Sequence, residues 1–244
     1  MDGYTSLPGG ANKRICGANP MHLILIADDS DSMAGDKSLH VSQGIAEWIV
    51  HLQMMTRGIK PWFRFSFVLF GTTATALVQN QDINNIDEKS IFLRGSSGTT
   101  NMTHALQLAA EVIAASNPQP EHCRPFVFIY TDGQADDPES AHEAAYKLKK
   151  LPLPCGSPHV VTLGIVDADH EFLSRLATSP EFYVPCGDAE TLRRLLPSIG
   201  TPGKVASATE SGLGEQIRQA SQQQTERSRN SRFEQNIPKA VQSI

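Results

Sequence analysis

The sequence predicts an α/β fold in which helices cover a mostly parallel sheet. The main observation is an unbroken apolar run from Leu23 to Ala27, which stops at a group of acidic and hydroxyl residues. An apolar run without polar alternation is typical of a central strand that is buried on both faces. A second apolar run, from Phe126 to Tyr130, also ends in small polar residues. Helical patterns lie between and after these runs, so strands and helices alternate along the chain.

The first helix is predicted from about Asp36 to Thr56, with Gly58 ending it. Its apolar residues recur every three or four positions, which is the pattern of a helix with one buried face. These residues are Val41, Ile45, Trp48, Ile49, Leu52 and Met55. We assign Trp48 and Met55 to the core rather than to a cofactor surface.

A hairpin follows this helix. An aromatic-rich strand from Trp62 to Phe70 leads through Gly71-Thr72-Thr73 into a short strand from Ala74 to Val78. Residues 79–97 show no periodicity, so a loop is predicted there.

The second half of the chain continues the alternation of strands and helices. Asp137 has the character of a helix N-cap and Pro138 that of a first helical residue, so we assign the acidic pair at 136–137 to capping and surface rather than to catalysis. The other predicted elements are a helix after Thr100, a strand from His159 to Val166, a short helix through Phe172 and Leu176, a strand from Phe182 to Val184, and a helix from Asp188 to Leu196.

Composition excludes several classes of protein. At 244 residues, with 40% hydrophobic residues and a net charge of −5, the chain resembles an ordinary folded protein and not a nucleic-acid binder. No apolar run reaches the ~20 residues that a membrane helix needs. Residues 1–20 lack the apolar core of a signal peptide, so a flexible leader and a cytoplasmic location are predicted.

The composition changes near the carboxyl end. Residues 200–244 are rich in Gly, Ser and Gln and poor in aromatic residues, so a polar, mostly disordered tail is predicted. One short helix through Leu213, Ile217 and Ala220 fits the pattern within it. The folded domain is therefore assigned to residues 21–199.

The polar residues after the first strand have the character of a metal site. Asp28, Ser30 and Ser32 present a carboxylate and two hydroxyls at alternate positions. They follow the carboxyl end of a central strand, where open α/β sheets place their ligands. Hard oxygen ligands suit Mg²⁺ or Mn²⁺ far better than Zn²⁺.

Two downstream segments complete a recognisable pattern. Asp28-x-Ser30-x-Ser32 is followed by Gly98-Thr99-Thr100-Asn101-Met102 and then by Thr131-Asp132-Gly133. Together they resemble the metal-ion-dependent adhesion site of von Willebrand factor A (VWA) domains. Each part occurs in the expected order, at the end of a predicted strand or the start of a predicted helix.

Two departures from the family pattern concern individual positions. The threonine ligand is aligned to Thr100, six residues before Leu106, and Thr99 remains the alternative. Asp31 stands where glycine is common in the family. We expect its charge to strengthen cation binding and to weaken the approach of an acidic ligand.

The resemblance implies a doubly wound, mostly parallel six-stranded sheet, with one antiparallel edge strand and helices on both faces. It also implies a Mg²⁺ or Mn²⁺ ion held by Asp28, Ser30, Ser32, Thr100 and Asp132. An open coordination position would then take an acidic side chain from a protein partner, without catalytic turnover. The charge balance predicts no nucleic-acid partner, and the lack of a long apolar run predicts no membrane partner.

Three functions remain open at this point. In its compact size and lack of a secretion signal, the chain resembles the intracellular tellurium-resistance-type VWA group. Members of that group are thought to act as adaptors beside kinases and phosphatases. An adaptor for an AAA+ metal-insertion ATPase is an alternative. An aspartate-based phosphatase using Asp29-x-Asp31 is less favoured, because Met33 stands where that motif needs threonine or valine. In addition, no lysine lies between the threonine loop (residues 98–102) and Asp132.

Overall fold

A computed structural model describes residues 13–56, 63–133, 135–165, 168–186, 191 and 210–235, with side chains given for 213–227 of the last segment. The strands in these ranges are β1 (Met21–Asp28), β2 (Phe63–Phe70), β3 (Ala74–Asp82), β4 (Phe126–Thr131), β5 (His159–Ile165) and β6 (Tyr183–Cys186). The α-helices are α1 (Asp36–Thr56), α2 (Met102–Ala115), α3 (Pro138–Lys149), α4 (His170–Leu176) and, as we number it, α5 (Glu210–Gln235). The predicted features at Gly58, Trp62 and Val166, and the helix predicted from Asp188 to Leu196 apart from Thr191, lie outside the described residues.

The sheet has the strand order β3-β2-β1-β4-β5-β6. Every neighbouring pair is parallel except β2 and β3, which are antiparallel. This confirms the predicted fold class: a mostly parallel six-stranded sheet with one antiparallel edge strand. All eight residues of β1 are buried, as expected for the central strand of a sheet that is covered on both faces.

Helix α1 has the bounds that its apolar periodicity predicts. Trp48 packs edge-on against Phe128 of β4 and Phe65 of β2, with ring centroids 5.2 and 6.3 Å apart. Trp48 is therefore a core residue, as predicted. Within the described ranges, no helix combines the length and apolar character needed to cross a membrane.

The segment predicted as a loop over residues 79–97 is more regular than expected. Strand β3 continues past Val78 to Asp82, and two 3-10 turns follow at Ile83–Asn85 and Glu88–Ser90. Asp82 and Asp87 cap these turns, accepting hydrogen bonds from the amides of Asn84 and Lys89. Capping by side chains supplies local order without the periodicity that a sequence pattern would reveal.

The described part of the predicted leader, residues 13–20, packs against the rest of the domain. Ile15 is fully buried. The Lys13 ammonium group donates to the backbone oxygens of Pro120 and His122. Residues 1–12 lie outside the described residues.

The prediction of a mostly disordered tail is wrong over residues 210–235, which form helix α5. Leu213, Ile217 and Ala220 are buried, and the helix packs against β6. The Ser221 hydroxyl donates to the backbone oxygen of Tyr183 in that edge strand. Three apolar residues at helical spacing were therefore enough to attach a long polar helix to the edge of the sheet.

Candidate metal centre

The candidate ligands lie on three chain segments that meet at the carboxyl ends of the central parallel strands. Strands β1 and β4 are parallel neighbours, with Ala27 opposite Tyr130. Asp28 therefore lies beside Thr131, and Asp132 follows directly. Ser32 lies on a 3-10 turn, Asp31–Met33, that directly follows the β1 loop. Thr100 precedes helix α2.

Asp28 is held in a fixed orientation by two hydrogen bonds. Its Oδ1 accepts from the amide of Ser30 at 2.9 Å, and its Oδ2 accepts from the hydroxyl of Thr131 at 2.6 Å. Burial raises the pKa of Asp28 to about 6, although these hydrogen bonds act in the opposite direction. A nearby cation would stabilise the ionised form of this carboxyl group.

The two serine hydroxyls converge as the sequence predicts. Ser30 Oγ and Ser32 Oγ are 3.0 Å apart. Ser30 is buried and Ser32 is exposed, so the pair connects the protein interior to the surface. The site can therefore be reached from solvent on the Ser32 side.

Asp132 provides the test of whether a cation fits. Its side chain is only 4% exposed, and its Oδ1 has no hydrogen-bond partner among the described residues. A buried carboxylate oxygen without a donor is costly unless a cation satisfies it. The donor set of hydroxyls and carboxylates therefore fits a hard divalent ion.

Lys37, in the first turn of α1, is a site residue that sequence reasoning missed. Its ammonium group lies 3.5 Å from Asp132 Oδ2 and donates to the backbone oxygen of Ser32 at 3.1 Å. A cationic side chain at a helix N-terminus opposes the helix dipole, so Asp132 compensates an unfavourable position. That mismatch was the available signal.

Thr100 and Thr99 have different environments. Thr100 is buried, its amide donates to Asp136 Oδ1 at 3.0 Å, and its backbone oxygen accepts from the Asp136 amide at 3.1 Å. Thr99 is exposed, and its amide donates to Thr72 Oγ1. These contacts tie Thr100 to the loop after β4 that carries Asp132, which favours Thr100 as the ligand.

The acidic pair Asp136 and Asp137 divides its roles. Asp137 caps α3 as predicted, accepting from the amide of Ser140 at 3.1 Å. Asp136, predicted to be a capping or surface residue, instead connects the loop after β4 to the segment before α2 through its hydrogen bonds with Thr100.

Asp29 has a structural role that argues against a phosphatase. Its Oδ1 accepts from the amides of Arg94 and Gly95, and its Oδ2 accepts from the Ser97 hydroxyl at 2.6 Å. A nucleophile needs an accessible oxygen, whereas this carboxylate is buried and is bonded at both oxygens. Gly95 has φ +62°, and a Cβ there would lie 2.5 Å from the Ala34 backbone. Asp29 thus fixes the segment before the threonine loop.

Asp31 makes a second connection of this kind. Its amide donates to the backbone oxygen of Gly98 at 2.9 Å, and its Oδ1 accepts from the Gly98 amide at 3.0 Å. The Asp31 carboxylate, at a position where glycine is common in the family, therefore joins the metal loop (residues 28–33) to the threonine loop (residues 98–102).

The histidines play no part in the candidate centre. His104, the histidine nearest to Thr100 in the sequence, is exposed, and its Nδ1 accepts from the Ala74 amide at 3.1 Å. In the described part of the chain, no three His, Cys, Asp or Glu side chains group together as metal ligands. Any ion at this edge must therefore depend on hydroxyl oxygens as well as on Asp28 and Asp132.

Comparison with known proteins identifies the family. The sequence matches the von Willebrand factor type A domain over residues 22–198. The chain belongs to this family. The match ends before α5, so that helix lies outside the family domain. A search of curated proteins gave no match.

Several solved structures share the fold at low sequence identity. The pilus adhesin SpaC from Lactobacillus rhamnosus GG has a TM-score of 0.62 at 13% identity, with 84% of this chain covering 31% of the adhesin. Proximal thread matrix protein 1 from the mussel byssus, with a zinc-occupied MIDAS motif, has a TM-score of 0.58 at 15% identity over 83% of this chain and 47% of that protein. Manganese-loaded TRAP protein from Plasmodium vivax has a TM-score of 0.54 at 22% identity over 77% of this chain and 76% of TRAP. The chain thus spans less than half of the first two proteins.

Proposed function

We propose that the chain is a divalent-metal-dependent protein-binding domain. Asp28, Ser30, Ser32, Thr100 and Asp132 would hold Mg²⁺ or Mn²⁺, and an acidic side chain of a protein partner would complete the coordination. The observation that carries this proposal is the buried Asp132 Oδ1 without a described partner, beside two converging serine hydroxyls. VWA domains are commonly metal-dependent protein-binding modules, and the zinc and manganese structures of two relatives support a divalent ion here.

The chemistry of the ligands favours Mg²⁺ or Mn²⁺ over Zn²⁺ in this chain. All five side chains offer oxygen, and only two of them carry a formal charge. A bound ion would therefore keep part of its positive charge, which attracts a carboxylate. Lys37 adds positive charge at the same place and must move or share Asp132 when a metal binds.

An apolar surface next to the metal loop supports a protein as the ligand. Leu77 and Phe92 are 51% and 54% exposed and line a cavity of about 480 Å³ together with Asp29 and Arg94. Asp29 directly follows the candidate ligand Asp28 in the sequence, so this surface lies near the candidate centre. A partner that offers an acidic side chain to the metal would place an apolar side chain against Leu77 and Phe92.

We propose an intracellular adaptor role for the domain, of the kind attributed to the tellurium-resistance-type group, with an AAA+ ATPase adaptor as the alternative. Support for both comes from the sequence arguments alone. Fractionation of cells with an antibody against the chain tests the cytoplasmic location.

Calorimetric titration with Mg²⁺ and Mn²⁺ tests the metal site. We expect one ion to bind weakly, on the order of 10 µM to 1 mM, as for oxygen sites with few anionic ligands. The double substitution Ser30→Ala, Ser32→Ala should abolish binding, because it removes two of the five oxygens. Thr75→Ala removes an exposed hydroxyl from β3 and serves as the matched control.

Absence of binding by the wild-type protein at several times the upper limit of that range would contradict the proposal. Equal binding by the double variant would also contradict it. Circular dichroism of each variant separates loss of the site from loss of the fold.

A further inference from the structure

A second cavity lies at the opposite end of the sheet from the candidate metal centre. It has a volume of about 270 Å³, and its polar lining includes His22, Arg64, Asn80 and His122. His22 and Arg64 stand opposite each other near the starts of β1 and β2. Asp28 ends β1 six residues later, so the two sites are about 20 Å apart at ~3.3 Å per residue.

The hydrogen bonds of His22 leave one ring nitrogen facing no partner. His22 is 6% exposed, and its Nε2 lies 2.8 Å from Ser66 Oγ. Ser66 Oγ accepts from the Asn80 amide at 2.7 Å, and His22 Nε2 is the acceptor within reach of its proton among the described contacts, so we assign the hydroxyl as the donor to His22 Nε2. This network assigns the ring proton to Nδ1, which has no partner among the described residues.

A buried N–H without an acceptor is costly, and in native proteins such groups usually meet a ligand or a water molecule. Burial, together with the charge of Arg64, lowers the pKa of His22 to about 3. The ring is therefore neutral at physiological pH, and its Nδ1–H acts as a hydrogen-bond donor.

Arg64 supplies positive charge beside this donor. Its Nε donates to Asn80 Oδ1 at 3.2 Å, and its Nη2 donates to the Asn80 backbone oxygen. These two bonds fix the guanidinium group and leave further N–H groups for a ligand, since arginine has five. Asn80 has a left-handed backbone, φ +46°, which places its amide on Ser66 and its oxygens on Arg64.

The remaining lining adds a donor and no negative charge. His122 Nδ1 accepts from the Gln119 amide at 3.2 Å, which leaves Nε2 as the N–H donor of the ring. Among the described residues, no Asp or Glu lines this cavity. Lys13 adds positive charge nearby through its bond to the His122 backbone oxygen, 2.8 Å long.

We propose that this cavity binds a small oxyanion, a phosphate or carboxylate group, through the Nδ1–H of His22 and the guanidinium group of Arg64. The cavity volume of about 270 Å³ leaves room for an anion of a few heavy atoms. Binding at this end would be independent of a metal at the other end.

Nuclear magnetic resonance of the histidine rings tests the proposal on the full chain. Inorganic phosphate and acetate are titrated separately at constant ionic strength, with chloride as the background salt. We expect the His22 Nδ1 signal to shift saturably with at least one of them. A phosphate-only response identifies a phosphoryl ligand, and an acetate-only response identifies a carboxylate.

Variants show whether the shift reports this cavity. Arg64→Gln should weaken binding by about tenfold or more, because a charge-assisted contact is lost. Arg64→Lys keeps the charge without the fork of donors and should also weaken it, which covers the case in which Arg64→Gln does not fold. Arg94→Gln, an exposed arginine at the other end, and Ser30→Ala, Ser32→Ala should bind as the wild type does.

No saturable shift of His22 with either anion would overturn the proposal. A shift that persists unchanged in both Arg64 variants would also overturn it. Loss of metal binding in the serine variant with anion binding intact shows that the two sites are independent, so failure of either proposal leaves the other standing.

Discussion

Single residues explain why the candidate centre is organised before any ligand arrives. Asp28 is oriented by Ser30 and Thr131, and Asp29 and Asp31 connect the metal loop to the segment that leads to Thr100. The sequence motif identifies these candidate ligands because they are close along the chain or follow strand ends. The motif does not include Lys37, whose ammonium group contacts Asp132 from 95 positions away along the chain.

The raised pKa of Asp28 makes metal binding dependent on pH. Burial favours the protonated carboxyl, whereas a metal needs the ionised form, so protons compete with the metal below pH 6. Apparent metal affinity should be nearly constant from pH 7 to 8 and fall by about tenfold for each pH unit below 6. Calorimetry across this range gives the measurement.

The metal-free protein should show the opposite trend. Because the folded pKa of Asp28 is raised above the unfolded value, its contribution to stability is fully present below about pH 4. That contribution is lost as pH rises through about 6. Asp28→Asn should remove both the metal binding and this part of the pH dependence. A metal affinity that stays constant down to pH 5 would contradict the assignment.

At the scale of elements, periodic patterns predicted strands and helices well. Elements that depend on contacts with a distant part of the chain could not be predicted from the local sequence. Strand β1 and helix α1 were predictable because long apolar runs and repeats specify them. The extension of β3 to Asp82 depends on its pairing with β2, and the position of α5 depends on its contacts with β6. Both need a partner element that the local sequence does not contain.

Helix α5 should contribute measurably to stability, because its buried apolar residues pack against β6. Ile217 is fully buried, whereas Gln219 is exposed in the same stretch of the helix. Ile217→Ala should lower the free energy of unfolding by about 2–5 kcal/mol. Gln219→Ala should change it by less than about 0.5 kcal/mol, since both residues favour helices and the site is on the surface.

Urea denaturation of both variants makes the comparison. If Ile217→Ala unfolds at the same urea concentration as Gln219→Ala, α5 does not contribute to the stability of the domain. The same result would restore the interpretation of residues 210–235 as part of a polar, mostly disordered tail.

For the whole molecule, the attachment of α5 changes how partner recognition should be tested. Deleting residues 200–244 would remove the contacts of α5 with β6 as well as the rest of the tail, so the deletion would mix two effects. Point substitutions at separate surfaces avoid this. Asp132 belongs to the candidate centre, Phe92 to the adjacent apolar surface, and Tyr146, 62% exposed on α3, to neither.

We predict that partner binding depends on the metal first and on the apolar surface second. Asp132→Ala should weaken binding by about 2–5 kcal/mol, the usual result of removing one member of a desolvated charge contact. Phe92→Ser should cost about 1–2 kcal/mol, and Tyr146→Ser should cost almost nothing. A pull-down in Mg²⁺ and in chelator first identifies the partner, and titration of the three variants then measures each loss. If the chelator and Asp132→Ala leave affinity unchanged while Phe92→Ser abolishes it, recognition lies in the apolar surface and the oxygen ligands serve only to hold the loops together.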